Sequence, residues 1–119
     1  PPATGGDGLA ACSGDMLLQA LVACAGVTLR AVATALGVEL RGGSVHAEGA
    51  LDFRGTLGVD KQAPGGFSDI RLSFDLGETD LGDSEADVAT RATLLKLTER
   101  YCVVLQTLRT PARIAATMT

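Results

Sequence analysis

The stretch from Ser13 to Gly37, SGDMLLQALVACAGVTLRAVATALG, constrains the fold more than any other part of the chain. It reads as one long helix. Ser13 can serve as N-cap, its side-chain oxygen accepting from a first-turn amide, Asp15 places negative charge on the positive end of the helix dipole, and Gly37 can turn left-handed at C′. Asp15 to Leu36 would run about 33 Å at 1.5 Å rise per residue. After the first turn only Gln19, Thr28, Arg30 and Thr34 break its apolar surface. A surface helix shows one apolar stripe, so a helix apolar nearly all round is expected to be central and buried on most sides. Its length also suits a membrane span. However, Gln19 and Arg30 lie inside it and its bulk is Ala and Gly rather than Leu, Ile and Phe, so a core helix is the expected role. Cys24 stands in the middle of this helix, where a thiol is either inert packing or a sheltered nucleophile.

What covers such a helix is limited by the rest of the composition. The 119 residues are expected to form a single domain, residues 1–119. Aromatics make up only 3%, so the core must come from Ala, Val, Leu and Ile, and a chain of this kind is expected to need a partner surface to finish it. A net charge of −4, with no Lys/Arg run, argues against nucleic acid as a partner. The start PPATGGDG has neither a charged beginning nor an apolar core, so no signal peptide and a cytoplasmic location are expected.

Residues 1–12 carry no period and read as an irregular lead-in. After Gly37, VELRGGSVHAEGALDFRG alternates, with Val45, Ala47, Gly49, Leu51 and Phe53 on one face and His46, Glu48, Asp52 and Arg54 on the other. This predicts a half-buried strand, extended backward over residues 38–41 past the Gly42-Gly43 break. A loop is expected over 55–66. FSDIRLSFDLG then alternates again, Ile70, Leu72, Phe74 and Leu76 inward and Asp69, Arg71, Ser73 and Asp75 outward, predicting a second strand antiparallel to the first. Ser84 followed by Glu85 and Asp87 opens an amphipathic helix in the manner of a capping box, with Val88, Ala89, Ala92 and Leu95 expected inward and Arg91, Lys96 and Glu99 outward. A break near 100–102 leads to a short helix whose first turn holds Cys102, and ARIAATM after Pro111 alternates as a last strand. The expected class is α+β.

Three cysteines, Cys12, Cys24 and Cys102, fall at no metal-binding spacing. Counting alone leaves two readings open, free or catalytic thiols in a reducing compartment, or small buried hydrophobes. His46 stands alone on a polar strand face and is expected to be solvated rather than a ligand. The Gly5-Gly6-Gly8 group lacks the preceding strand and spacing of a phosphate loop and reads as linker.

The two segments Leu17-Leu18-Gln19-Ala20-Leu21-Val22-Ala23-Cys24 and Cys102-Val103-Val104-Leu105-Gln106-Thr107-Leu108, in this order of elements, resemble the osmotically inducible protein C and organic hydroperoxide resistance (OsmC/Ohr) family over residues 5–119. The resemblance implies an OsmC-like fold in which the long central helix and further helices pack against an antiparallel sheet, in an intertwined homodimer. It implies a thiol peroxidase, with Cys24 as the peroxidatic thiolate and Cys102 as the resolving thiol. The implied partners are an organic hydroperoxide as substrate and a small-molecule or protein dithiol as reductant, with no bound cofactor, no metal, no nucleic acid and no membrane. The chain departs from the family pattern at three points. Residues 1–12 hold none of the usual N-terminal strands, one of which supplies an activating Arg, so either that Arg comes from sequence ahead of Pro1 or activity is expected to be weak or absent. The helix entry Gly14-Asp15-Met16-Leu17 lacks the family's Pro, and Val103 stands where a Pro usually follows the second Cys. These departures keep a second reading in view, a catalytically weak or inactive OsmC-like dimeric module that binds a small apolar ligand or partner.

Overall fold

A computed structural model of the chain describes residues 13–119; Cys12 and the Gly5-Gly6-Gly8 group lie outside the described residues. Helix α1 (Ser13–Leu36) is followed by strand β1 (Ser44–Leu51), a single helical turn α2 (Phe53–Thr56), strand β2 (Phe67–Asp75), helix α3 (Glu85–Tyr101) and short helix α4 (Val103–Arg109). α1 already includes Ser13, so its cap position falls outside the described residues. Its other end is as expected. Gly37 adopts φ 72°, its N–H donates to the Thr34 carbonyl (3.1 Å), and the Val38 N–H reaches back to Ala33 (2.8 Å), the paired bonds of a Schellman stop.

β1 and β2 pair antiparallel, with Val45 opposite Phe74, Ala47 opposite Leu72 and Gly49 opposite Ile70, so their half-buried residues share one face. The opposite face is polar. There Glu48 lies directly across from Arg71, which holds it at 2.8 Å and Asp69 at 2.9 Å. All three are more than half exposed, so solvent screens the pairs and they favour the register only weakly. The predicted backward extension of β1 does not form. Residues 38–41 contribute only an isolated bridge between Leu40 and Thr79, because Gly42 and Gly43 (φ 155° and 97°) turn the chain out of the ladder. At the other end, Asp52, Phe53 and Arg54 are not strand residues. The Asp52 carboxylate accepts from the Arg54 N–H (3.0 Å) and caps α2, so the strand ends at Leu51.

Two buried clusters hold the helices to this sheet. One consists of Leu21, Ala25, Cys102 and Leu105, the other of Leu29, Val32, Ala33 and Leu94, and Phe74 of β2 packs against both. α1 lies against β1, α3 and α4. It is nevertheless not buried on most sides. Only Leu21, Ala25, Leu29, Val32 and Ala33 are buried, while Met16 (58% exposed) and Val27 (72%) face outward. A two-stranded sheet and two helices can cover one stripe of a cylinder, and the remaining apolar surface has no cover among the described residues. By length and composition α1 could also cross a membrane, and 28% of its most apolar window is buried in the fold.

α3 begins as predicted, Ser84 Oγ accepting from the Asp87 N–H at 3.1 Å, while the Asp87 carboxylate accepts from Gly82 N–H at 2.8 Å. Its inward face differs from the expected one. Leu94 and Thr98 are buried, whereas Val88 and Leu95 are 56% and 46% exposed and Ala92 is exposed. The helix is thus turned by about one residue, roughly 100°. Two polar side chains permit this. The Thr98 hydroxyl donates to the Leu94 carbonyl (2.7 Å), and Arg91 bends its guanidinium to the carbonyls of Leu81 and Gly82, so neither is buried unpaired. After α4 the predicted last strand is absent. Residues 110–119 form no regular element and are exposed throughout, because no strand of the same sheet lies beside them.

Candidate active site

Cys102 is the one residue between α3 and α4, extended at φ −76°, ψ 106°, rather than a member of the short helix's first turn. Its N–H donates to the Thr98 carbonyl (3.0 Å) and its carbonyl accepts from the Gln106 N–H (2.9 Å), so the ladders of both helices end on it. The angle between those helices is fixed by side chains. Gln106 Nε2 donates to the Glu99 carbonyl (2.7 Å), satisfying an acceptor left open at the end of α3, and Arg109 pairs with the Glu99 carboxylate at 3.0 Å. Because α3 and α4 both pack on α1, this clamp brings Cys102 and the first turn of α4 against the middle of α1, where Cys24 sits.

Both cysteines are free thiols, and their environments differ in the way that matters for reactivity. Cys102 is fully buried, whereas Cys24 is half-buried at the edge of the same cluster. The Cys24 thiol is held below its ordinary pKa. The Val104 N–H contributes most, opposed by burial, and the Cys102 thiol, the Val103 N–H and the Thr28 hydroxyl add to it. Among the described residues the groups that lower it are therefore all neutral. Thr28 also donates to the Cys24 carbonyl at 2.8 Å. Cys102 is pushed the other way, first by burial, with the Leu105 N–H opposing and the neighbouring Cys24 raising it further through its hydrogen bond and charge. The pair is thus polarised, the half-open Cys24 being the more readily ionised sulfur and the enclosed Cys102 the one that holds its proton more tightly.

The structure brings together the two cysteines singled out by sequence. It leaves Arg30 exposed, and it puts His46 on the outer strand face, 4.0 Å from Glu48. The apolar surroundings of the thiol come from Leu21, Ala25, Leu105 and Val104, whereas Leu17 and Val27 are 37% and 72% exposed. The amides of Val103 and Val104 and the Thr28 hydroxyl were not foreseen. Their signals were present, a Thr four residues after Cys24 on the same helix face and a residue with an N–H directly after Cys102. Among the described residues no group of three or more His, Cys, Asp or Glu could hold a metal ion.

The family model for OsmC-like proteins matches residues 5–117. The chain belongs to the OsmC-like protein family. No curated protein matches it. The helix–strand–strand–helix–helix order, with one cysteine on the long helix and one at the α3–α4 junction, is accordingly the OsmC-like α+β fold.

Proposed function

We propose that this OsmC-like protein is a thiol peroxidase that reduces organic hydroperoxides through Cys24 and Cys102. The observation that carries this reading is the polarised thiol pair, a half-open sulfur with a lowered pKa beside an enclosed sulfur with a raised one. Cys24 thiolate attacks the terminal oxygen of the hydroperoxide, the O–O bond breaks, the alkoxide takes a proton and leaves as the alcohol, and Cys24 becomes a sulfenic acid. Loss of the Cys24 charge removes one of the groups that keep Cys102 protonated. The Cys102 sulfur then attacks the sulfenic sulfur, water leaves, and a disulfide forms. An external dithiol returns both to thiols by exchange, with the cytoplasm as the proposed location. The helix α4 amides do part of the work for which the family resemblance would call on an Arg.

The apolar cluster behind Cys24 favours alkyl hydroperoxides over hydrogen peroxide. Each buried methylene contributes about 0.8 kcal/mol, so three give roughly a 50-fold preference. The outward apolar side chains of α1, Met16, Leu17 and Val27, support a homodimer as the working form. Peroxide consumption coupled to dithiothreitol tests the reading: cumene hydroperoxide should be turned over faster than hydrogen peroxide, Cys24→Ser should abolish turnover, and Cys102→Ser should give one turnover followed by over-oxidation of Cys24. Equal consumption by wild type and Cys24→Ser would overturn it. That result would favour the second reading, a non-catalytic dimeric module with both thiols as packing, which draws support from the complete burial of Cys102 among Leu21, Ala25 and Leu105.

A further inference from the structure

A single residue separates α3 from α4, and the hydrogen bonds at this junction do not close as they would in one continuous helix. In an α-helix each carbonyl accepts from the N–H four residues on. Thr98 follows that rule, accepting from the Cys102 N–H at 3.0 Å. The next carbonyl, that of Glu99, would take the Val103 N–H. It takes Nε2 of Gln106 instead, at 2.7 Å, from a side chain that reaches back seven residues. Cys102, at ψ 106°, turns the Val103 N–H off the axis of α3, and the N–H groups of Val103 and Val104 are presented to the Cys24 sulfur.

We propose that Gln106 is a positioning residue for the thiol pair: by occupying the Glu99 carbonyl it keeps the Val103 N–H from returning to α3 and so holds the α4 amides on Cys24. Two donors compete for one acceptor. While the Gln106 amide fills it, Cys102 can stay extended and α4 can start a new helix with its first N–H groups free. Once that amide is removed, the half-buried Glu99 carbonyl lacks a donor, and a buried polar group without a partner is costly. The nearest remedy is the bond that a continuing helix makes, from the Val103 N–H to Glu99, with Cys102 passing from extended to helical conformation. That change takes an amide from Cys24, and it shifts Cys102 out of the cluster it shares with Leu21, Ala25 and Leu105.

The neighbouring ion pair cannot take over this role. Arg109 meets the Glu99 carboxylate at 3.0 Å, so it ties the same two helices together, but it leaves the Glu99 carbonyl untouched and its own side chain is 58% exposed. Gln106 is also the residue whose N–H donates to the Cys102 carbonyl at 2.9 Å, closing the first turn of α4. Its backbone therefore fixes the start of α4 on Cys102 while its side chain fixes the end of α3. This inference rests on the thiol chemistry proposed above and names the group that keeps the amides in place for it.

The test is the pH dependence of Cys24 alkylation by iodoacetamide on the full chain in a Cys12→Ser background, comparing Gln106→Met, Val103→Pro and the two combined with the unaltered junction. Methionine keeps the unbranched stem and the helix propensity of glutamine and has no N–H to donate. Gln106→Met should slow alkylation about tenfold at neutral pH and move the profile to higher pH, the effect of one hydrogen bond lost from a charged acceptor. Proline at 103 has no N–H to give to Glu99 and holds Cys102 extended, so in that background Gln106→Met should add less than about twofold. Gln106→Lys, which retains N–H donors on an unbranched stem, should titrate at or below the wild-type pH, and it reports on the role even where the methionine form does not fold. Superimposable profiles for wild type and Gln106→Met, an equally large further loss when Gln106→Met is added to Val103→Pro, or an upward shift in Gln106→Lys overturns the positioning role. Cumene hydroperoxide turnover is followed in parallel. The expected alkylation shifts with no turnover by any form leave the positioning role standing and overturn the peroxidase reading.

Discussion

Replacing Val103 by proline isolates the contribution of one amide to the reactivity of Cys24. Val103 is the first residue of α4, a position where proline is well tolerated because its N–H has no helical acceptor and its φ suits the helix. Cys102 before it is already extended, as a residue preceding proline must be, and Val103 is 67% exposed, so little packing is lost. Stability should therefore stay within about 1 kcal/mol of wild type, and the entropy removed from the unfolded chain acts in the favourable direction. What the substitution does remove is the Val103 N–H, one of the groups that favour the Cys24 thiolate. A hydrogen bond to a charged acceptor is worth about 1.5–3 kcal/mol, and since Val103 ranks behind Val104 and Cys102 the lower end applies, about tenfold less thiolate at neutral pH. The assay is the rate of iodoacetamide alkylation of Cys24 against pH in a Cys12→Ser background, with the modified residue located by mass spectrometry. Wild type should reach its plateau at lower pH than the proline variant, the two converging in alkali where both are fully ionised. Superimposable profiles from an equally stable variant would refute the role given to the α4 amides.

Other substitutions probe the scaffold. In the same alkylation experiment, native Cys24 should react at least tenfold faster than Cys102, which is fully buried and whose pKa burial raises; preferential labelling of Cys102 would reverse the roles assigned to the pair. Leu21→Ala, at a position 2% exposed, should cost about 3 kcal/mol in urea unfolding and slow formation of the Cys24–Cys102 disulfide, since the cavity opens against Cys102. Gly43→Ala combines a left-handed φ of 97° with a Cβ driven into the Asp75 carbonyl, and should lower the thermal midpoint more than the same change at Gly65, where the site is open. Ser84→Ala should cost about 1 kcal/mol by leaving the Asp87 N–H without its acceptor, and Ser84→Asp should restore most of that.

The amino-acid sequence by itself determined the features that arise from short-range physics. The left-handed stop at Gly37 needs only a residue without a Cβ, the capping of α3 needs only Ser84 and the next turn's amide, and the inward and outward faces of β1 and β2 follow from a period of two. Tertiary structure decided everything that depends on which surfaces meet. α3 has Leu94 and Leu95 side by side, and hydrophobicity alone cannot choose between them; Leu94 is the one that packs with Leu29, Val32 and Ala33 of α1, a contact that no periodicity encodes. The same is true of α1, whose apolar circumference announces a buried helix although the described residues cover a single stripe, and of residues 112–118, whose alternation describes a strand but which pair with no strand among the described residues. The site divides along the same line. Cys24 and Cys102 could be picked out by position, but the polarity of the pair was set when α3 and α4 docked on α1, aiming the Val103 and Val104 amides at Cys24 and enclosing Cys102. A thiol's pKa is fixed by what lies within a few ångströms of it in space, and the Val104 amide that does most to lower Cys24 lies far from it along the chain.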